Sequence, residues 1–433
     1  MAAPVPMPEN LFNNLWVLLS GALVFLMTIS VGLLEIGELG KDYRQGLLKT
    51  IIIICLGFFV MAFVGFNTAF APCIGGIIGN PLYSAPFLGG FSTDFPGLLQ
   101  GVWWSMGPDY FNTNVTLPTY YFFETAFAAV TLALVGIIAL RKMKLSAFTV
   151  FSIVYFIVIW NLPAAWIWNP TGWLYGLGMR DFAGGLVVHG AAAAAGLAIV
   201  ARIWMEEKEK GLTESPKVPI NVSPGWITLA ILLLWLGWFG FNPGSTLTWN
   251  HEANVVVLTT FIAASTSFLS MMFLKWWETR KSPGLIYAAN GVLMGLIVIT
   301  PIAGFVSPAS SVILGAVGGP LYIYFEKVFG RMKWFTDPIG LFPGHLVGGL
   351  FGVVMIAFFT QAPYAAASGN GNLPNGLFFG GGYPAVQQLG IEVFGIIVVM
   401  ITVFVLSSLA VWAIAKGMNG ITPDYRKEGL IPQ

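Results

Sequence analysis

Asp181-Phe-Ala-Gly-Gly-Leu-Val-Val-His189-Gly-Ala-Ala-Ala-Ala-Ala-Gly196 opens an apolar run that extends over residues 182–203. A run of about 20 apolar residues matches the thickness of a bilayer core. One imidazole, His189, interrupts it. Placing an imidazole against hydrocarbon is costly, so it should face a pathway, a ligand or a polar partner. A second of the chain's 3 histidines lies in similar small-residue surroundings, Phe342-Pro-Gly-His345-Leu-Val-Gly-Gly349. Two such side chains can meet.

The whole chain has the character of this stretch. Its 433 residues are 57% hydrophobic and only 9% charged, and the mean hydropathy is +0.79. A soluble domain has about 25% charged residues, so the sequence reads as an all-α polytopic membrane protein. Abundant Gly and 16 Trp fit a packed helical bundle with interfacial anchors. A net charge of +1 gives no sign of nucleic-acid binding. The two cysteines, Cys55 in a span and Cys73 in the loop after it, are expected to stay unpaired. The first ten residues lack a basic segment and do not read as a cleaved signal peptide. No metal cluster, nucleophile–base pair or cofactor fingerprint is visible, so an enzyme is not expected and no cofactor is assigned.

Eleven apolar spans are expected, near 12–35, 48–71, 119–140, 145–167, 182–203, 224–242, 253–275, 285–303, 306–325, 344–361 and 390–415. Thr300-Pro-Ile-Ala-Gly304 is the only break between the eighth and ninth. Charge supports this count. Of the 20 Lys and Arg, 19 fall in alternate loops, at the span edges that border them, or in the tail, and Arg180 is the exception. By the positive-inside rule, residues 1–11 are extracytoplasmic and the tail, 416–433, is cytoplasmic, in a plasma or inner membrane. The outer loops 72–118 and 362–389 lack Lys and Arg, are rich in Gly, Pro and aromatics, and should form ordered caps.

The chain reads as one domain, 1–433, with a five-span half at 12–203, a cytoplasmic loop at 204–223 and a second half at 224–361. The eleventh helix stands outside these halves. Five spans per half force opposite orientations if the halves are structural repeats, with a site between them near the midplane. His189 in span 5 and His345 in span 10 would then be related by the pseudo-two-fold axis.

Several motifs occur in a fixed order: Phe123-x-x-x-Phe127-Ala-Ala-Val-Thr131, Asp181-Phe-Ala-Gly-Gly-x-Val-Val-His189, Trp238-Phe-Gly-Phe241-Asn-x-Gly-Ser245, Asn290-Gly-Val-Leu-x-Gly-Leu, Phe305-Val-Ser-Pro, and Asp337-Pro338 with His345 eight residues on. With these motifs the chain resembles the ammonium transporter family (Amt/Mep/Rh) along nearly its whole length. The resemblance implies channel-like transport of ammonium or ammonia, with methylammonium as a further candidate, by a homotrimer with one pore per subunit. It implies that Phe127 and Phe241 form a hydrophobic gate. Trp168, Phe123 and Ser245 would recruit the cation at the outer side, supported by Asp181. His189 and His345 would be the twin histidines of the pore.

The chemistry of these residue types agrees. Aromatic faces attract small cations, and a Ser hydroxyl can accept an N–H bond. Bare ammonium crosses an apolar pore poorly, whereas neutral ammonia passes easily. Two imidazoles can hold ammonia or relay a proton. Plainer roles stand beside these: a packing pair for the histidines, an N-cap for Asp181, ordinary packing for the two Phe, and close helix contact for Gly190–Gly196. His251 reads as a solvated residue at the outer end of span 7.

The chain departs from the family pattern at Glu124, where Gln is usual. A mid-span carboxyl needs a partner or a neutral state, which makes Glu124 a candidate modifier of the site. Glu35 and Glu38 replace the usual Tyr and Gly, with exposure near the cytoplasmic end as the simple account. Gly and Ala replace the usual polar residues after His189, and Pro243 and Gly344 are less usual. The tail ends Glu428-Gly-Leu-Ile-Pro-Gln433, which leaves control by a PII-type protein open. An ammonium-binding sensor module with little transport is therefore the alternative function. Conduction of another neutral gas has only the family's breadth behind it.

Overall fold

The computed structural model describes residues 8–39, 44–83, 115–139, 142–216, 223–332, 334, 337 and 340–425. The departures in the final residues of the tail, most of the outer loop 72–118, Pro338 and the side chain of Glu38 lie outside that set.

The long helices are α1 (Pro8–Leu39), α2 (Arg44–Phe70), α3 (Leu117–Ala139), α4 (Leu145–Ile167), α5 (Gly185–Glu209), α6 (Pro224–Gly244), α7 (His251–Thr279), α8 (Leu285–Ile299), α9 (Pro308–Phe329), α10 (Phe342–Phe359) and α11 (Gly382–Gly417). Among the described residues ten of these are long and apolar enough to cross a membrane; α8 is not. It has 15 residues, which at 1.5 Å each gives about 22 Å against a hydrocarbon core of about 30 Å. A buried turn over residues 300–306 follows it. Length and composition therefore support ten crossings where the sequence reading expects eleven. The chain is an integral membrane protein of helices; among the described residues one short antiparallel pair, β1 (Cys73–Ile74) and β2 (Ile78–Gly79), lies in the loop after α2.

Packing follows composition. Helix α3 has almost every described side chain buried and lies at the centre, against α1, α2 and α5. Helix α1 packs along α6, and α7 along α8 and α9. Helix α11 contacts α5 and α10 but leaves much of its apolar surface exposed, as a lipid-facing or partner-facing helix does. In the loops after α2 and α10, Trp166 Nε1 donates to Ile77 O at 2.6 Å, and Gly376 N donates to Thr360 O at 2.7 Å. The described parts of these loops are thus tied to the bundle, as their composition suggests.

The simple account of Glu35 is wrong. It is buried, and Lys49 Nζ lies 2.6 Å from its Oε1. The same ammonium donates to Gly136 O at 2.9 Å. Near one end of the bundle α1, α2 and α3 are joined by a charge pair that a composition count cannot pair in advance. A second buried pair, Lys142 with Glu207 at 2.9 Å, lies at the basic-rich face. Tyr425 donates to the same Glu207 at 2.8 Å.

Candidate functional site

Two helices begin in the same unusual way. Each starts with a wide π-helical turn, Gly185–Gly190 in α5 and Phe342–Leu346 in α10, and each turn carries a histidine near its end. An aspartate eight residues before each histidine caps the turn. Asp181 Oδ1 accepts from Gly184 N at 3.0 Å and Gly185 N at 2.7 Å, and Oδ2 accepts from Leu186 N at 2.8 Å and Val187 N at 2.9 Å. Asp337 accepts from Leu341 N at 2.8 Å and Phe342 N at 2.9 Å. The first N–H groups of a helix have no intrahelical partner, and a carboxylate there satisfies them and complements the helix dipole. Burial pushes the Asp181 carboxyl above its ordinary range, against the pull of its four N–H donors. Burial likewise pushes Asp337 up to about 6.

Gly184 and Gly349 allow the two turns to meet. Gly184 has φ +111°, and a Cβ there would lie 2.4 Å from Val188 Cγ2. A Cβ on Gly349 would meet Gly185 O at 2.3 Å and His189 Cβ at 3.0 Å. The close crossing of α5 and α10 brings His345 Nδ1 to 2.9 Å from His189 Nδ1. One Nδ1 must carry the shared hydrogen and the other must accept it. The two outer nitrogens are then of opposite kind, one an acceptor and one a donor. His189 is 1% exposed and its Nε2 has no protein partner.

The remaining walls come from other helices. Phe241 on α6 stacks near-parallel on His189, with centroids 6.0 Å apart at 13°, and Trp238 stacks beside it at 6.1 Å. Phe127 on α3 lies against Phe241 at 4.3 Å. The two Phe rings separate two cavities. On the histidine side is an apolar cavity of about 50 Å³, lined among others by Val31, Val130, Leu234 and Leu293, with Asn290 and Tyr322 also in its wall. Asn290 Nδ2 donates to the Tyr322 hydroxyl at 2.7 Å.

On the other side is a cavity of about 510 Å³ whose lining includes Phe123, Glu124, Trp168, Asp181 and Ser245. Trp168 sits edge-on to Phe127 at 5.7 Å, and its Nε1 donates to Asp181 O at 2.7 Å. Phe123 contacts Phe127 at 4.8 Å. The Ser245 hydroxyl donates to Phe241 O at 2.9 Å, so its lone pairs are left to accept from a ligand. All nine singled-out side chains, His189, His345, Phe127, Phe241, Trp168, Phe123, Ser245, Asp181 and Glu124, thus line the two cavities or their shared wall. Asp181 is the one whose geometry favours the plainer role, since each of its oxygens already holds two N–H donors. His251 is exposed at the start of α7.

Trp238, three residues before Phe241 in the same motif, carries no expected role from the sequence. Its indole N–H donates to Thr300 Oγ1 at 3.1 Å, and that hydroxyl lies 2.7 Å from Leu296 O and 3.2 Å from Asn242 Oδ1. The Trp238 face against His189 is set by the buried turn after α8, whose signal was the break at Thr300-Pro301.

Known proteins match this chain along most of its length. The sequence model of the Ammonium Transporter Family matches residues 15–430. An ammonium transporter of Aquifex aeolicus is 31% identical over 425 residues, covering 96% of this chain and 90% of the relative. One of Bacillus subtilis is 32% identical over 361 residues, covering 83% and 81%. Among solved structures, Candida albicans Mep2 superposes with a TM-score of 0.79 at 25% identity, covering 94% of this chain and 84% of that one. A structure titled Sensor Amt Protein has a TM-score of 0.79 at 24% identity, covering 98% and 97%. With a family match over almost its full length and relatives above 30% identity, the chain belongs to the ammonium transporter family.

Proposed function

We propose that this protein conducts ammonium-derived ammonia across a membrane. The cation is recruited in the larger cavity, loses a proton, and passes as ammonia between Phe127 and Phe241 to the histidine pair. The observation that carries this reading is the 2.9 Å contact between His189 and His345, below ring centroids 4.3 Å apart and above an apolar cavity. Phe123, Phe127 and Trp168 offer aromatic faces to a cation, and Ser245 offers an acceptor. The apolar cavity beyond them is costly for a charge and easy for a neutral passenger. The histidines keep an acceptor and a donor in that cavity without carrying a charge.

The membrane arrangement belongs to the same proposal. Helix α8 and its buried turn together make an eleventh crossing. The five-helix halves are inverted, which the matched Asp–turn–His starts of α5 and α10 support. The N-terminus is outside, the tail is cytoplasmic, and the protein works as a trimer. Methylammonium is a further substrate candidate.

The test is reconstitution in liposomes and an ammonium pulse. Conduction predicts a transient current or an internal pH change well above that of empty liposomes. Neither signal above background would overturn conduction and favour an ammonium-binding sensor.

A further inference from the structure

Glu124 is a buried carboxyl on α3 and one of the residues that line the larger cavity. It is only 5% exposed. Tyr120, one turn earlier, is hydrogen-bonded to the carboxyl, but Oε2 has no protein partner. Buried polar atoms nearly always find one. Glu124 is three residues before Phe127, so both side chains share one face of α3. The carboxyl therefore stands beside the ring that closes the cavity.

Of the other charged groups around this cavity, Asp181 is fully held, and Arg180 keeps only a donor open, its Nε. The oxygens of Asp181 hold four backbone N–H donors. The Arg180 guanidinium donates to Tyr175 O at 3.0 Å and Met179 O at 2.7 Å, and lies 4.0 Å over the Tyr175 ring. Tyr120 and Tyr175 are the titratable hydroxyls in the lining, and Trp168 and Ser245 complete the near wall. Among the described residues lining the cavity, Glu124 alone offers a carboxylate oxygen with no donor of its own.

We propose that Glu124 is a specificity-determining residue of the recruitment cavity, and that its Oε2 is both countercharge and proton acceptor for the incoming ammonium. The cation's N–H groups satisfy the open oxygen while the aromatic faces hold the rest of it. In the transfer, one N–H bond breaks and one O–H bond forms at Oε2. The electron pair stays on nitrogen as the lone pair of ammonia, which moves on between the Phe rings. The proton returns from Glu124 to the water of the cavity before the next cation enters. A neutral alkyl or amide solute of equal size gains neither effect, so the cavity selects for a protonated amine.

This inference rests on conduction, and the experiment separates the two. Liposomes carrying wild-type or E124Q protein receive ammonium pulses at several external pH values. The KM, expressed as ammonium cation, should rise for the wild type on acidification, because protons compete for Oε2. E124Q should raise KM roughly tenfold, in keeping with loss of a hydrogen bond to a charged group, and its KM should no longer respond to pH. Wild-type flux, read as current or internal pH change, with an E124Q KM and pH profile equal to the wild type's would overturn the role of Glu124 and leave conduction standing. Absence of both a wild-type current and a wild-type internal pH change above empty liposomes would overturn conduction itself. Should E124Q fail to insert, the wild-type profile still decides, since a KM that is flat on acidification rules out competition at Oε2.

Discussion

Asp181 and His189 lie in one motif yet do different work. With four N–H groups on its two oxygens, Asp181 is a structural cap. Hydrogen bonds to a charged group contribute roughly 1.5–3 kcal/mol each and do not simply add. D181A should therefore cost at least about 3 kcal/mol of stability, seen as a lower thermal midpoint in detergent and poorer recovery as a single oligomer. D181N should lie between, because it keeps one acceptor oxygen. An Ala variant as stable as the wild type would remove the capping role. His189 should respond in the opposite manner. H189L keeps the apolar wall but removes the shared hydrogen and the unpartnered Nε2. It should fold normally and change transport, either losing flux or altering the ratio of charge to ammonia moved. A liposome assay with unchanged flux and unchanged ion selectivity would exclude a proton-handling role for the pair.

At the scale of elements, the crossing of α5 with α10 sets the histidine distance. The Cβ of an alanine at Gly349 would have to displace Gly185 O, 2.3 Å away, which is backbone and cannot swing aside. Overpacking of this kind costs about 1–3 kcal/mol. G349A should insert but hold the two turns apart, with flux falling more than stability. Wild-type flux in that variant would show that the crossing yields. The long spans were legible because hydropathy is additive along a helix, and the alternation of basic loops fixed their register. The start of α11 at Gly382, before the expected 390, was not, since Gly382-Tyr-Pro carries loop composition. Nor was α8, whose span reads as continuous until the turn at Thr300 shortens the helix. At the site, the histidines and Phe rings stood out through family motifs. The commitments of Asp181, the Glu35–Lys49 pair and the stacking of Trp238 needed three dimensions, because their partners come from distant or featureless segments. Glu124 was visible as a departure, but its open oxygen was not.

For the whole molecule, the decisive property is which end faces out. The larger cavity lies at the end that holds the loops before α7 and α11, whereas the ion pair Lys142–Glu207 and the segment around Tyr425 lie at the other. A recruiting cavity is useful for uptake only if it opens to the outer medium, and the proposed topology, which rests on the basic loops and not on the cavity, puts it there. Helix α7 spans 29 residues between these ends, about 43 Å at 1.5 Å each, so reporters beyond its two ends are unambiguous. With Cys55 and Cys73 replaced by Ser, Tyr383→Cys at the exposed start of α11 and Lys281→Cys just past the end of α7 supply such reporters; both native side chains are exposed. A thiol reagent that cannot cross membranes should label Tyr383→Cys on intact cells and Lys281→Cys only after permeabilisation. Labelling of Lys281→Cys on intact cells would invert the proposed topology and place Glu124 and Trp168 at the inner surface. The same aromatic and carboxyl groups would then collect ammonium from the cytoplasm, and the protein would be built for release.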